Sequence, residues 1–108
     1  MKLFLRLADI VRYWEATDVV LRAYIVEPEE HVYISLLRVP IEIRRRGYGT
    51  EVLKDITDFA DNLGFQVRLH SSAIEDNTTQ DVLRAFYLKA GFVEVKPQEW
   101  IYGAELIN

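Results

Sequence analysis

The stretch Arg44-Arg45-Arg46-Gly47-Tyr48-Gly49-Thr50 gathers arginines and glycines between an apolar run ending at Val39-Pro40 and an amphipathic run starting near Glu51. Residues of these types in this order suit the binding of an anion. Paired glycines let the backbone turn at positive φ and approach a ligand closely, and the first N–H groups of a following helix then point at it. The arginine side chains add charge to that cradle. A Walker loop is absent, because no Gly-x-x-x-x-Gly-Lys-Ser/Thr occurs, and the third glycine and downstream acidic residue of a dinucleotide fingerprint are missing as well.

Such a loop needs a strand before it and a helix after it, and the flanking sequence supplies both. From Glu51 the apolar period is about 3.6, with Val52, Leu53, Ile56, Phe59, Ala60 and Leu63 on one face and Gly64 placed to cap the end. His31 to Val39 reads as a strand that Pro40 ends, and Val19 to Val26 as another. Val11 to Ala16 is rich in β-branched and aromatic residues, so with Thr17-Asp18 as the turn it predicts a hairpin with Val19 to Val26. Leu3 to Leu7 is a further edge-strand candidate, and Leu7 to Trp14 also reads as a helix. Downstream, Phe65 to Ser71 predicts a strand, and Thr78-Thr79-Gln80-Asp81 resembles a capping box. It opens a helix with Val82, Leu83, Phe86, Tyr87 and Ala90 on one face and Gly91 at its end. Phe92 to Lys96 and Trp100 to Leu106 predict two short strands around Pro97, which gives the order β-β-β-β-α-β-α-β-β.

Composition limits what this frame can be. A chain of 108 residues that is 50% apolar suits one domain, residues 1 to 108, around one core. With no cysteine there is no disulfide framework, thiolate nucleophile or cysteine zinc site. The two histidines are too far apart in sequence to give a metal signature. No apolar stretch approaches membrane-spanning length, and the opening Met1 to Leu7 is too short for a signal peptide, so the expectation is a soluble, cytoplasmic protein without a membrane partner. A net charge of −4 argues against a general nucleic-acid binder, which needs a basic face. Acidic residues at Glu27, Glu29, Glu30, Glu75 and Asp76 suit cationic partners.

Arg44 to Gly49 resembles the Arg/Gln-x-x-Gly-x-Gly/Ala pyrophosphate loop of the GNAT superfamily of acyl-CoA-dependent N-acetyltransferases. Ala85-Phe86-Tyr87-Leu88-Lys89-Ala90-Gly91-Phe92 is similar to that family's later Tyr-x-x-x-Gly-Phe segment. The order of the two motifs, their separation by a helix and a strand, and the strand end at Val39-Pro40 make the match specific. The small size resembles compact phage-encoded members, including the anti-CRISPR kind. The resemblance implies a mixed α+β fold with a mostly antiparallel, splayed central sheet flanked by helices. The N-terminal helical region is reduced or absent, because little chain precedes Val19, so an open acceptor cleft is expected.

What the resemblance implies about residues is specific. Backbone N–H groups from Arg45 to Thr50 would bind the pyrophosphate of acetyl-CoA, Arg44 and Arg45 would add ion pairs, Arg46, Gly47 and Gly49 would complete the loop, and Tyr48 would pack. The strand Leu36 to Val39, through Leu37 and Val39, would offer its edge to the pantetheine arm while the sheet splays from Arg68 to Ser71, a splay that commonly needs a bulge. Tyr87 would be the general acid for the leaving thiolate. For the base, His31 and Tyr33 alternate onto one strand face, and Glu15 projects from the neighbouring hairpin; no choice among them follows. The Asn that many members carry near the start of the second helix is replaced by Thr79-Gln80-Asp81, with Asn77 out of register. The implied activity is acetyl transfer to a primary amine, a protein lysine or a small cationic amine, without a metal. The alternative is a catalytically silent CoA-binding or interaction domain with Trp100 and Tyr102 on the surface of a homodimer or partner contact.

Overall fold

The structure, a computed structural model, describes residues 4–28, 30–39, 47–71 and 80–103. Its elements are α1 (Leu7–Glu15), β1 (Val20–Val26), β2 (His31–Arg38), α2 (Tyr48–Leu63), β3 (Gln66–His70), α3 (Gln80–Lys89), β4 (Val93–Lys96) and β5 (Glu99–Tyr102). The strands form a five-stranded sheet in the order β1-β2-β3-β5-β4. All neighbours are antiparallel except β2 and β3, which run parallel across the α2 crossover.

The N-terminal segment is a helix, not the expected first strand of a hairpin. Leu7, Ile10 and Trp14 recur at helical spacing and are buried, Val11 packs half-buried at the edge of that face, and Tyr13 sits toward solvent despite its strand preference. Trp14 fastens α1 to α2, its indole N–H donating to Asp55 Oδ2 at 2.9 Å. Thr17-Asp18 does turn the chain, with Asp18 at φ 69°, but it joins α1 to β1. The hairpin is instead β1–β2. Leu5 and Arg6 form a bend, and Leu7 begins the helix, so the described part of the candidate edge strand is not one.

The remaining elements form in the expected order, α2 starting at Tyr48 and β5 ending at Tyr102, but Leu63 and Val82, assigned to the apolar helix faces, are exposed, and Thr78, Thr79 and residues 104–106 lie outside the described residues. Gly64 ends α2 in the left-handed region at φ 73°, and the N–H of Phe65 returns to the Ala60 carbonyl at 2.9 Å. Gly91, at φ 94°, closes α3 in the same way, with Phe92 N–H donating to the Tyr87 carbonyl at 3.0 Å.

Strand alternation sorts the sheet into two faces. Val32, Ile34, Leu37, Val67, Leu69 and Trp100 point to one face, buried under the helices. There α2 packs on β2 and β3, α1 packs on β1 and α2, and α3 lays Tyr87 on Trp100 with ring centroids 5.4 Å apart. Tyr24, Tyr33, Arg68 and Ile101 share the opposite face by register, and no helix covers it among the described residues. Trp100 and Tyr102 therefore face the core and do not form the outer aromatic surface of the alternative reading. Trp100 is buried, and the Tyr102 hydroxyl donates to Asp61 of α2 at 2.8 Å.

Candidate active site

The sheet forks in the middle. Pairing between β2 and β3 runs from His31↔Gln66 to Ile34↔Leu69 and stops there, although β2 continues to Arg38. The cause lies one residue further on. Arg22 pairs with Leu36 and Ala23 with Ile34, which leaves Ser35 as an extra residue on β2. Its hydroxyl donates to the Arg22 carbonyl at 3.2 Å and holds the bulge against β1. A bulge bends and twists its own strand, so β2 leaves β3 while still paired to β1. Leu37 keeps its side chain in the core and contributes backbone to the open edge, with half-buried Val39 just beyond.

The fork leads toward the start of α2. Gly47 is the N-cap at φ 76° and brings no side-chain cap, so among the described residues no side chain is seen to cap the N–H groups of Tyr48, Gly49 and Thr50. An uncapped N-terminus on a helix of 16 residues carries the partial positive charge that favours an anion. Gly49 is needed for packing: a Cβ there would lie 3.1 Å from the Phe86 ring, so its bareness lets α2 and α3 approach. Tyr48 packs its ring 5.7 Å from that of Trp14, as its expected packing role requires. Arg44, Arg45 and Arg46 lie outside the described residues.

At the crotch of the fork is a cavity of about 230 Å³ whose walls include His31, Tyr33, Arg68, His70, Glu99 and Trp100. His31 is buried at the start of β2, not exposed in a turn, and it shares the cavity with Tyr33 as strand alternation implies. Glu15 does not join them. It is the exposed last residue of α1, not a strand residue of a hairpin, and it is not among the cavity's walls.

Tyr87 is fully buried one ring behind the cavity, against Trp100, which lines it. Its hydroxyl has no hydrogen-bond partner among the described residues, and neither has Trp100 Nε1. A buried polar group without a partner is costly, and here two lie in adjoining rings. Burial pushes the Tyr87 phenol well above its usual 10, which keeps its proton on at neutral pH. Among the described residues no group of three His, Asp or Glu side chains could hold a metal ion. No helix there is long and apolar enough to cross a membrane.

Sequence reading passed over Arg68 and the inward role of Trp100. A signal for Arg68 was present, since Gln66, Arg68 and His70 alternate with Val67 and Leu69 along β3 and place polar groups on one face of a central strand. Trp100 joins the cavity through its pairing with Leu69, a contact 31 residues apart in sequence that no local pattern announces.

Comparison with known proteins agrees with this geometry. The crystal structure of anti-CRISPR protein AcrVA5 superposes with a TM-score of 0.65 at 20% identity, covering 78% of this chain and 88% of that one. At that identity the likeness speaks for the fold. No curated protein matches the chain. Residues 10–92 match the Acetyltransferase (GNAT) family, a span holding the fork, the uncapped α2 and Tyr87. The chain belongs to the acetyltransferase (GNAT) family.

Proposed function

We propose that the protein is an N-acetyltransferase that uses acetyl-CoA to acetylate a primary amine, a protein lysine or a small amine, as one domain in the cytoplasm. The observation that carries this reading is the fork that the Ser35 bulge opens beside the uncapped N-terminus of α2. The residues suit the donor. The first turn of α2, with Arg44, Arg45 and Arg46 before it, would take the pyrophosphate, and the open edge of β2 would pair with the amide-bearing arm. When bound, acetyl-CoA supplies a thioester carbonyl that a neutral amine attacks, forming the amide N–C bond as the C–S bond breaks.

The chain's own groups handle the protons. An alkyl ammonium, with a pKa of about 10.4, must lose a proton before it can attack, and His31 in the cavity wall is the side chain to accept it, directly or through water. Tyr87 donates toward the departing sulfur. Transfer from so weak a phenol to a solvated thiolate, whose thiol has a pKa of about 8.5, is uphill, so the hydroxyl acts first as a hydrogen-bond donor to the charge that develops.

The test is release of free thiol from acetyl-CoA in the presence of a panel of amines. Wild type should release thiol in proportion to amine, and Tyr87→Phe should lower turnover about a hundredfold with acetyl-CoA affinity unchanged. Unchanged turnover in Tyr87→Phe would remove the proposed acid. The Trp100 side of β5 is in the core, which removes the surface that the interaction-domain alternative relied on; a silent CoA-binding domain would bind acetyl-CoA in the same assay and release no thiol.

A further inference from the structure

Arg68 occupies an unusual position for a guanidinium. It is half-buried in a central strand, in the wall of the cavity at the fork, and its Nε and Nη2 both donate to the amide oxygen of Gln66, at 3.1 and 2.9 Å. That partner is neutral. Among the described residues Arg68 makes no ion pair, although Glu99 lines the same cavity, so the two opposite charges share one space without closing on each other. Partly desolvating a cation without an anion is unfavourable, and a strand position beside Ile101 and Tyr33 has no packing need for one. Gln66 meanwhile fixes the planar fork by a bifurcated hydrogen bond, which prepares it for a bidentate acceptor.

We propose that Arg68 binds a carboxylate carried by the acceptor, so that the amine acetylated at this site belongs to an amino-acid-like group with an acid beside it. The proposal rests on the acetyltransferase reading and deepens it by naming the acceptor's chemical class. A volume of about 230 Å³ lies below the roughly 300 Å³ where drug-sized clefts begin, and it fits a short chain bearing an amine and a carboxylate better than a bulky ring system. Glu99, on the opposite side of the charge pattern, would attract the ammonium before it loses its proton. The carboxylate has two possible sources. It is the α-carboxylate of a free amino acid, or an acidic side chain next to a lysine in a polypeptide.

Lysine and cadaverine differ only by that carboxylate, and comparing them tests the idea. In thiol-release assays with the wild-type chain, kcat/KM for lysine should exceed that for cadaverine by about tenfold or more. Arg68→Gln should erase the preference by lowering the lysine value, and Arg68→Lys, which keeps the charge but loses the fork, should keep a reduced preference. End-blocked peptides with lysine beside Asp or Asn separate the sources: a preference for Asp assigns the acid to a neighbouring residue, and a preference confined to free lysine assigns it to the α-carboxylate. Direct calorimetric binding of Nε-acetyl-lysine and N-acetylcadaverine reads the same site without turnover. Thiol release from no amine, with Nε-acetyl-lysine still bound through Arg68, would defeat the transferase reading and support the carboxylate site. Equal handling of lysine and cadaverine, or a preference that survives Arg68→Gln, would overturn the proposal.

Discussion

At Tyr87 the contribution to stability and the role proposed in turnover can be separated by one substitution. Its ring is part of the core, in contact with Phe86, Phe92 and Trp100, but its hydroxyl is buried with no partner among the described residues. Removing such a hydroxyl removes a desolvation penalty and leaves the ring packing intact. Tyr87→Phe should therefore unfold at the same temperature as wild type or higher, by up to about 1 kcal/mol of added stability, while losing turnover. Calorimetric melting beside the thiol-release assay checks both halves, and a melting point several degrees lower would show that the hydroxyl is structural. Gly47 illustrates a residue whose part was open to sequence: only a glycine adopts φ 76° without strain, and it does so where the Gly-x-Gly spacing placed the turn into α2.

The Ser35 bulge and the β4–β5 turn each carry a testable consequence. With Ser35 present, Ile34 and Leu37 both face the core although they are three apart; without it they become two apart and still share that face. Deleting Ser35 should therefore leave the protein folded, extend the β2–β3 ladder, and weaken acetyl-CoA binding about tenfold or more, as read by calorimetric titration. Deletion without effect on affinity would show that the fork does not depend on the bulge. In the β4–β5 turn, the Gln98 N–H donates to Glu94 Oε2 at 2.9 Å and Arg84 Nε to Oε1 at 3.1 Å. The backbone donor first, and Arg84 second, hold the Glu94 carboxyl below the ordinary 4.5. The folded state thus binds that proton less tightly than the unfolded chain does. The stability it contributes is present above pH 4.5 and is lost as pH falls through the lower folded-state value. Glu94→Gln should lower the urea midpoint at pH 7, and the two midpoints should converge in acid. What sequence could reveal about elements divides along the same physical line. The α2 stripe and its glycine cap are local and periodic, and they read correctly from Val52 to Ala60 and at Gly64, whereas Leu63 in the last turn is exposed. Val11 and Tyr13 favoured a strand, but burial of Leu7, Ile10 and Trp14 against the sheet decided for helix. The bulge at Ser35 leaves no mark in sequence, because it exists only in the pairing with Arg22 and Ala23.

At the scale of the molecule, the described helices lie on one face of a forked sheet, and Tyr33, Arg68 and His70 are on the other, in the wall of the cavity. The helix described before β1, α1, packs on β1 and α2, and no described helix covers the cavity face. The family was legible from the Arg44-to-Thr50 loop and the Tyr87-to-Phe92 segment, and residues 10–92 match it. The cavity was not, because it forms where β2, β3 and β5 meet across the chain. The central claim is that the fork and the α2 N-terminus bind an acyl-CoA. Calorimetric titration with acetyl-CoA, CoA and ATP tests it most directly. Saturable binding of acetyl-CoA and CoA, much weaker binding of ATP, and a loss of about tenfold or more when Arg44 and Arg45 become alanine are expected. Absence of acetyl-CoA binding, or equal binding of ATP, would contradict it.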